Sequence, residues 1–222
     1  MKAAYNNRPQ TVSALLGHPQ LDISAGDKNG RTALHMACWG SAGSKNQVSP
    51  RFECPESTRL LLKAAAPPRA RDHRGWTPLL AACATGAVGI LEVWTQAGRP
   101  PEDFADLAND GASALDLAAL YGHSSVASWL RKEGLMPPPG PRLLEFAALS
   151  ADPDAFLFFF KLAGPSPKVD WALGSAPLKS LMKQMSPSQA AEVREALCLP
   201  LPSLPPPRPM IDQAWPEFPG RR

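Results

Sequence analysis

The chain has 222 residues, of which 44% are hydrophobic and 19% are charged, a composition that suits a soluble domain with a buried core. No apolar run, including the phenylalanine-rich one at residues 156–160, approaches the roughly 18–20 residues of a membrane helix, and the N-terminus lacks the apolar core of a secretory signal. Twenty-six prolines argue against a compact enzyme and predict a linker and a proline-rich tail. Because the N-terminus does not resemble a secretory signal and the four cysteines are typical of reduced thiols, we expect a cytoplasmic or nuclear protein.

Residues 1–26 contain the first predicted element, an amphipathic helix that follows Ala3 and Ala4. The helix leads into the segment His18-Pro-Gln-Leu-Asp-Ile23. This order is typical of the second half of a helical unit whose first half is missing. We therefore expect either a helix that caps a stack or the remnant of a longer protein.

Three later segments repeat one pattern: Gly30-Arg-Thr-Ala-Leu-His-Met-Ala-Cys38, Gly75-Trp-Thr-Pro-Leu-Leu-Ala-Ala-Cys83 and Gly111-Ala-Ser-Ala-Leu-Asp-Leu-Ala-Ala119. They resemble the ankyrin repeat, whose signature is T-P-L-H-x-A within about 33 residues. The glycine permits a positive φ in the turn, and the threonine or serine can cap the following helix. The resemblance implies an all-α solenoid of antiparallel helix pairs that binds other proteins.

Four to five repeats fit this pattern, with the first and last incomplete. After the half repeat at 1–26 we place repeats at 27–66, 72–98 and 109–134, and a degenerate repeat at 141–164 that lacks the threonine. The first repeat exceeds the period because of a polar insert at residues 40–54, which we expect to be a surface loop. The ankyrin-repeat domain therefore covers residues 1–164.

The C-terminal part divides into two predicted segments. Residues 165–198 contain apolar residues at helical spacing, and Ser186 with Gln189 forms a capping box, so we expect a helical cap over the phenylalanine-rich helix at 155–162. Residues 199–222 hold eight prolines, which exclude a regular helix and predict a disordered tail.

No motif for catalysis or metal binding is present. The cysteines Cys38, Cys54, Cys83 and Cys198 are too far apart in sequence for a typical zinc site. His35 occupies the histidine of the ankyrin signature, where it bonds to the turn. We therefore predict no catalytic residue, no metal and no cofactor, and we interpret the chain as an interaction module or scaffold, or alternatively as a regulatory fragment of a larger enzyme.

The ankyrin resemblance also implies a concave binding face built from the finger turns and the first helices. The contact positions carried over to this chain are Lys28, Asn29, Arg31, Trp39, His73, Arg74, Trp76, Ala84, Thr85, Asn109, Asp110, Leu120 and Tyr121. Trp, Tyr and Arg are enriched among the residues that dominate binding energy, so Trp39, Trp76 and Tyr121 are the expected anchors.

Charge is distributed unevenly along the chain. Residues 27–76 hold nine Lys/Arg and four Asp/Glu, whereas residues 77–134 hold three and seven. The most basic point is the finger at residues 69–74. An acidic protein segment fits it better than nucleic acid, because so few charges without a basic helix make a poor nucleic-acid footprint.

A second resemblance lies near the C-terminus. The segment Ala176-Pro-Leu-Lys-Ser-Leu-Met-Lys183, followed by Leu199-Pro-Leu-Pro202, resembles the suppressor-of-cytokine-signalling box, which binds elongin C and a cullin. Met182 and Lys183 stand where that box has cysteine and arginine. The resemblance implies an alternative function, the substrate-recognition adaptor of a cullin–elongin ubiquitin ligase.

Overall fold

The computed structural model describes residues 1–40, 55–140, 142–163 and 176–197, and these residues form helices and turns without any β-strand. The α-helices of these residues are α1 (Lys2–Tyr5), α2 (Pro9–Leu16), α3 (Ala33–Trp39), α4 (Pro55–Lys63), α5 (Pro78–Thr85), α6 (Val88–Gln96), α7 (Ala114–Leu120), α8 (Ser124–Lys132), α9 (Leu143–Leu149), α10 (Pro153–Ala163), α11 (Ala176–Gln184) and α12 (Pro187–Leu197). The predicted all-α architecture is confirmed.

The helices stack in two layers. The odd-numbered helices form an inner layer in which α1, α3, α5, α7, α9 and α11 each contact the next, and α2, α4, α6, α8 and α10 do the same in an outer layer. Each inner helix is followed by its outer partner through a short connection, except where the insert separates α3 from α4. The arrangement is the predicted solenoid of antiparallel helix pairs.

Three inner helices begin at the predicted caps. The hydroxyl oxygens of Thr32, Thr77 and Ser113 accept hydrogen bonds from backbone N–H groups in the first turns of α3, α5 and α7. In α9 the equivalent position is Arg142, which makes no side-chain cap. The last recognisable repeat has therefore lost one of the bonds that satisfy a helix N-terminus.

Small residues allow the inner helices to approach closely. The side chains at the paired small positions of α3, α5 and α7 are inaccessible to solvent: Ala37, Cys38, Ala82, Cys83, Ala118 and Ala119. Both described cysteines, Cys38 and Cys83, lie in this buried layer, and burial raises the pKa of Cys83 to about 12. These cysteines are packing residues.

The C-terminal helices pack against the preceding repeat. Leu178, Leu181 and Val193 are buried, and α11 contacts both α9 and α10. Two polar links join α12 to α10: Gln189 Nε2 donates to Asp154 Oδ1 at 3.1 Å, and Lys161 Nζ lies 3.2 Å from Glu192 Oε1. Helix α11 thus continues the inner layer over the phenylalanine-rich helix.

The capping contacts at the start of α12 also agree with the sequence. The Ser186 amide donates to Gln189 Oε1 at 2.9 Å, and the Gln189 amide donates to Ser186 Oγ at 3.4 Å, which is the predicted capping box. Most of the predicted insert, at residues 41–54, lies outside the described residues, as does the proline-rich segment from residue 198 onward. No helix among the described residues is both long enough and apolar enough to cross a membrane.

Candidate functional site

The candidate site is the inner-helix side, which we define as the surface formed by the finger turns at residues 27–32, 72–77 and 109–113 together with helices α3, α5, α7 and α9. The His73 amide donates to the Asn29 carbonyl at 3.0 Å, and the Asn109 amide donates to the Arg74 carbonyl at 3.0 Å. These bonds join three successive fingers into one ladder. The Asn109 side chain reinforces it by donating to the His73 carbonyl at 3.2 Å.

Gly75 shows why this ladder needs glycine at the finger. Its φ of +75° is one that L side chains rarely adopt, and an added Cβ would lie 2.1 Å from Asn109 Oδ1. Any larger residue would therefore displace the neighbouring finger.

An aspartate closes each of the first two fingers. Asp72 Oδ1 accepts from the amides of Arg74 and Trp76, both at 2.9 Å. Asp27 does the same in the preceding finger and also pairs with Arg31, whose guanidinium lies 2.8 Å away. Burial alone would raise the pKa of Asp27, but the hydrogen bonds from Arg31 hold it below its usual value. The Arg31 side chain is thus engaged with Asp27 of its own finger.

The two tryptophans do not lie on the surface, contrary to expectation. The rings of Trp39 and Trp76 stack with centroids 5.7 Å apart and planes at 21°, and only 9% and 4% of these residues are exposed. The Arg31 guanidinium covers the Trp39 ring at 5.5 Å. Because each aromatic ring fills the space beside the other, the expectation that both are exposed anchors is wrong.

His35 has the structural role that the ankyrin signature implies. Its Nδ1 accepts from the Thr32 amide at 3.1 Å, so Nε2 carries the proton and donates to the Trp76 carbonyl at 2.9 Å. Burial lowers the pKa of His35, although the bond to Trp76 works in the opposite direction. His35 therefore bridges two adjacent repeats as a neutral ring.

The basic finger is largely neutralised by the next repeat. Arg69 Nε donates to Asp106 Oδ2 at 2.9 Å, and Arg71 Nη1 donates to the Leu107 carbonyl at 2.8 Å. The Arg71 guanidinium also lies 3.5 Å from Asp106. The uneven charge along the chain thus serves contacts between repeats, and these two arginines are a weak basis for an acidic partner.

A buried carboxylate in the long finger could not be predicted from the sequence. Asp103 lies in a 3-10 helix at Pro101–Ala105, is 1% exposed, and accepts from the indole N–H of Trp94 at 2.9 Å. Arg99 Nε lies 3.2 Å from the same carboxylate oxygen. No sequence signal distinguishes Asp103 from its acidic neighbours, because its role depends on a tryptophan in the preceding helix.

The candidate contact residues divide by exposure. The exposed ones are Lys28, His73, Asn109, Asp110 and Tyr121. The half-buried ones are Asn29, Arg74, Thr85 and Leu120, and the buried ones are Arg31, Trp39, Trp76 and Ala84.

Apolar surface is exposed where α7 and α9 end. Tyr121 is 37% exposed and Leu149 is 40% exposed, and Leu120, at the same repeat position as Leu149, is half-buried. The Tyr121 ring stacks on His123 with centroids 6.5 Å apart. Burial of the phenol group raises the pKa of Tyr121 to about 12, although part of the residue is exposed. We call Leu120, Tyr121 and Leu149 the exposed apolar patch.

Among the described residues, no group of three or more His, Cys, Asp or Glu side chains is arranged to hold a metal ion.

Two family models match the chain. A model described as ankyrin repeats in many copies matches residues 1–49, and one described as an ankyrin repeat matches residues 29–73. The stacked helix pairs, the capped turns and the bridging histidine agree with these matches. The chain is an ankyrin-repeat protein.

A solved structure agrees on the fold of this ankyrin-repeat protein. The ankyrin-repeat domain of human ASB11 aligns with a TM-score of 0.61 and 19% identity, covering 88% of this chain and 81% of that domain. At this level of identity the similarity concerns the fold alone.

Two curated proteins resemble parts of the ankyrin-repeat protein. The mouse ankyrin repeat and SOCS box protein 16 is 36% identical over 80 residues, which cover 36% of this chain and 17% of that protein. The glycerophosphocholine phosphodiesterase gde1 of Schizosaccharomyces pombe is 32% identical over 108 residues, which cover 48% of this chain and 8% of the enzyme. The chain spans only a small part of either relative, and the ankyrin-repeat fold is typically non-catalytic.

Proposed function

We propose that this ankyrin-repeat protein is an interaction module whose inner-helix side binds another protein, with the exposed apolar patch as the anchor. The observation that carries the proposal is the exposure of Tyr121 and Leu149 at the C-terminal ends of two adjacent inner helices, α7 and α9. Exposed apolar side chains are ordinary when scattered, but neighbouring ones on a recognition surface mark interaction sites.

The surroundings of the patch suit a protein interface. Exposed polar residues at the finger tips, Lys28, His73, Asn109 and Asp110, lie on the same side of the stack. Interfaces commonly combine an apolar centre with a polar, solvent-accessible rim. The finger ladder holds these side chains on a rigid backbone, which reduces the entropy lost on binding.

The partner is expected to supply apolar side chains more than acidic ones. Arg69 and Arg71 are already engaged with Asp106 and with backbone carbonyls of the next finger. An acidic segment would have to displace those bonds. An apolar anchor from the partner would instead cover the exposed surface of Tyr121 and Leu149, and this contact breaks no ion pair.

Proximity labelling with the intact chain tests the proposal, because the method captures partners whose identity is not yet established. Leu149→Arg places a charge in the patch, and Leu15→Arg places the same charge at an apolar side chain in α2 that is 47% exposed. We expect Leu149→Arg to remove at least one labelled protein that the parent and Leu15→Arg both retain. Identical labelling by all three proteins would contradict the placement of the site.

A ubiquitin-ligase adaptor is the second candidate, favoured by the similarity to a mouse protein whose name includes a SOCS box. The two leucines of the matching segment, Leu178 and Leu181, are each 1% exposed because α11 packs on α9 and α10. Binding of elongin C through them would therefore require α11 to leave the stack. The Leu199–Pro202 part of the resemblance lies outside the described residues.

Co-expression with elongins B and C tests the adaptor candidate. An adaptor should co-purify with both elongins as one species in gel filtration. A preparation free of elongins at high elongin concentration would contradict the adaptor and leave the interaction module in place.

A further inference from the structure

Asp116 is a buried carboxyl group at the joint between α7 and α9. It is 4% exposed, and its Oδ2 accepts from the amide and the hydroxyl of Ser113, at 3.0 Å and 2.8 Å. Its other oxygen, Oδ1, is buried and has no hydrogen-bond partner. The whole carboxyl group lies beside the turn before α9, because a Cβ added to Gly140 would lie 3.2 Å from Oδ2 and 3.4 Å from Oδ1. One side of a buried carboxyl is therefore unsatisfied.

The charged groups around Asp116 do not compensate for its unsatisfied oxygen. Asp110 lies in the same finger, and Arg142 and Glu145 come from the start of α9. The Arg142 guanidinium is shared: it donates to the Asp110 carbonyl at 3.3 Å, lies 3.7 Å from Glu145, and covers the Phe146 ring at 4.7 Å. The printed contacts of this guanidinium are therefore with groups other than the Asp116 carboxyl.

The other elements packed against α7 add little charge near Asp116. Helix α5 contains no charged residue. In α8 the charged residues are Arg131 and Lys132, which are exposed in its last turn, and in α10 they are Asp154 and Lys161, which are also exposed. The state of Asp116 is therefore set mainly by burial, Ser113, Asp110 and the shared guanidinium.

The equivalent residue of the first full repeat explains what Asp116 lacks. His35 holds the same place in α3, and its Nε2–H donates to a backbone carbonyl of the next finger. An ionised aspartate has no hydrogen to donate, whereas a neutral carboxylic acid has one O–H. Only the protonated form of Asp116 has a hydrogen to donate, as His35 has.

We propose that Asp116 is a proton-dependent lock at the α7–α9 joint, which closes when its carboxyl takes up a proton and loosens when that proton is released to solvent. Ionisation leaves a buried charge with an unsatisfied oxygen, which is costly. Burial raises the pKa of Asp116, while the Ser113 bonds and Arg142 oppose the shift and Asp110 adds to it. Because Leu120 and Leu149 are the last residues of α7 and α9, the lock would act on the helices that carry the exposed apolar patch.

The sign of the effect follows from linkage. A carboxyl whose pKa is higher in the folded state binds its proton more tightly there, so its contribution to stability is present at low pH and is lost as pH rises through the folded pKa. His35 and His123 act in the opposite direction, since burial lowers the pKa of both. The lock must therefore be measured as a difference between variants.

Urea unfolding of the full chain and of Asp116→Asn between about pH 4.5 and 8 measures that difference. The asparagine amide can donate a hydrogen bond and carries no charge, so it imitates the protonated acid. We expect the unfolding constant of the parent, relative to that of Asp116→Asn, to rise by at least about threefold across this range. Asp110→Asn removes an exposed carboxylate whose effect on the pKa of Asp116 is smaller than that of burial, so this variant should retain most of the pH dependence of the parent.

A second measurement covers the case in which Asp116→Asn does not fold. Carbon-13 NMR of the side-chain carboxyl groups of the parent should show Asp116 titrating above the ordinary aspartate value of about 3.9. A titration midpoint at or below that value would overturn the proposal. So would equal pH profiles for the parent and Asp116→Asn, or a profile that is flattened by Asp110→Asn instead.

Discussion

Around α3 and α5, large side chains of the inner-helix side pack on one another, whereas around α7 and α9 they face solvent. The residue that follows the paired small residues shows the difference: Trp39 is 9% exposed and Leu149 is 40% exposed at the same repeat position. Trp39 is covered because Trp76 from the next finger stacks on it. Exposure at a repeat position is thus decided by the neighbouring repeat.

The polar contacts of the two regions differ in the same way. In the α3–α5 region His35 bridges to the next finger and Asp72 closes its own finger. In the α7–α9 region Asp116 occupies the bridging position with one unsatisfied oxygen, and Arg142 is divided among several partners. We infer that the first region is committed to stability and that the second is available for recognition.

The largest expected effect comes from breaking the tryptophan stack. Trp39→Ala and Trp76→Ala should each destabilise the protein by about 3–5 kcal/mol, because each leaves a cavity in a packed layer. In a double-mutant cycle measured by urea unfolding, the two losses should sum to more than the loss in the double variant, since they share one contact. Additive losses would mean that the rings do not stabilise each other.

The contacts that the sequence predicted in detail are local ones. Thr32, Thr77 and Ser113 cap helices within three residues of themselves, so a short motif contains the whole interaction. The Arg69–Asp106 pair joins residues 37 positions apart, and the tryptophan stack joins two repeats. The repeat pattern predicted which positions meet across repeats. It could not tell which side chains would fill each other's space.

A smaller loss is expected from Asp103→Asn. The variant keeps the size of the side chain but weakens the buried bonds to Trp94 and Arg99, which should cost about 1–3 kcal/mol. Asp106→Asn, at a carboxylate that pairs with partly exposed arginines, is the matched control and should cost less. Equal losses in thermal or urea unfolding would contradict the structural role of Asp103.

His35→Gln tests the bridge between repeats. At neutral pH the variant should lose about 1 kcal/mol, because the bond to the Trp76 carbonyl is weakened. Burial lowers the pKa of His35, so the folded parent binds a proton less readily and loses stability as pH falls below about 6.5. Over the same pH interval the variant should lose less stability, measured as a smaller fall in its urea midpoint. An unchanged pH dependence would exclude His35 as its source.

The most direct test of the account is the affinity of an identified partner for two variants, measured by isothermal titration calorimetry. Tyr121→Ala removes exposed surface from the α7–α9 region, whereas Trp76→Phe keeps an aromatic ring in the buried stack of the α3–α5 region. We predict that Tyr121→Ala weakens binding by at least about 1 kcal/mol, or roughly fivefold, and that Trp76→Phe leaves the affinity unchanged. Full affinity in Tyr121→Ala together with a loss in Trp76→Phe would contradict the division of this surface into a stabilising and a recognising region.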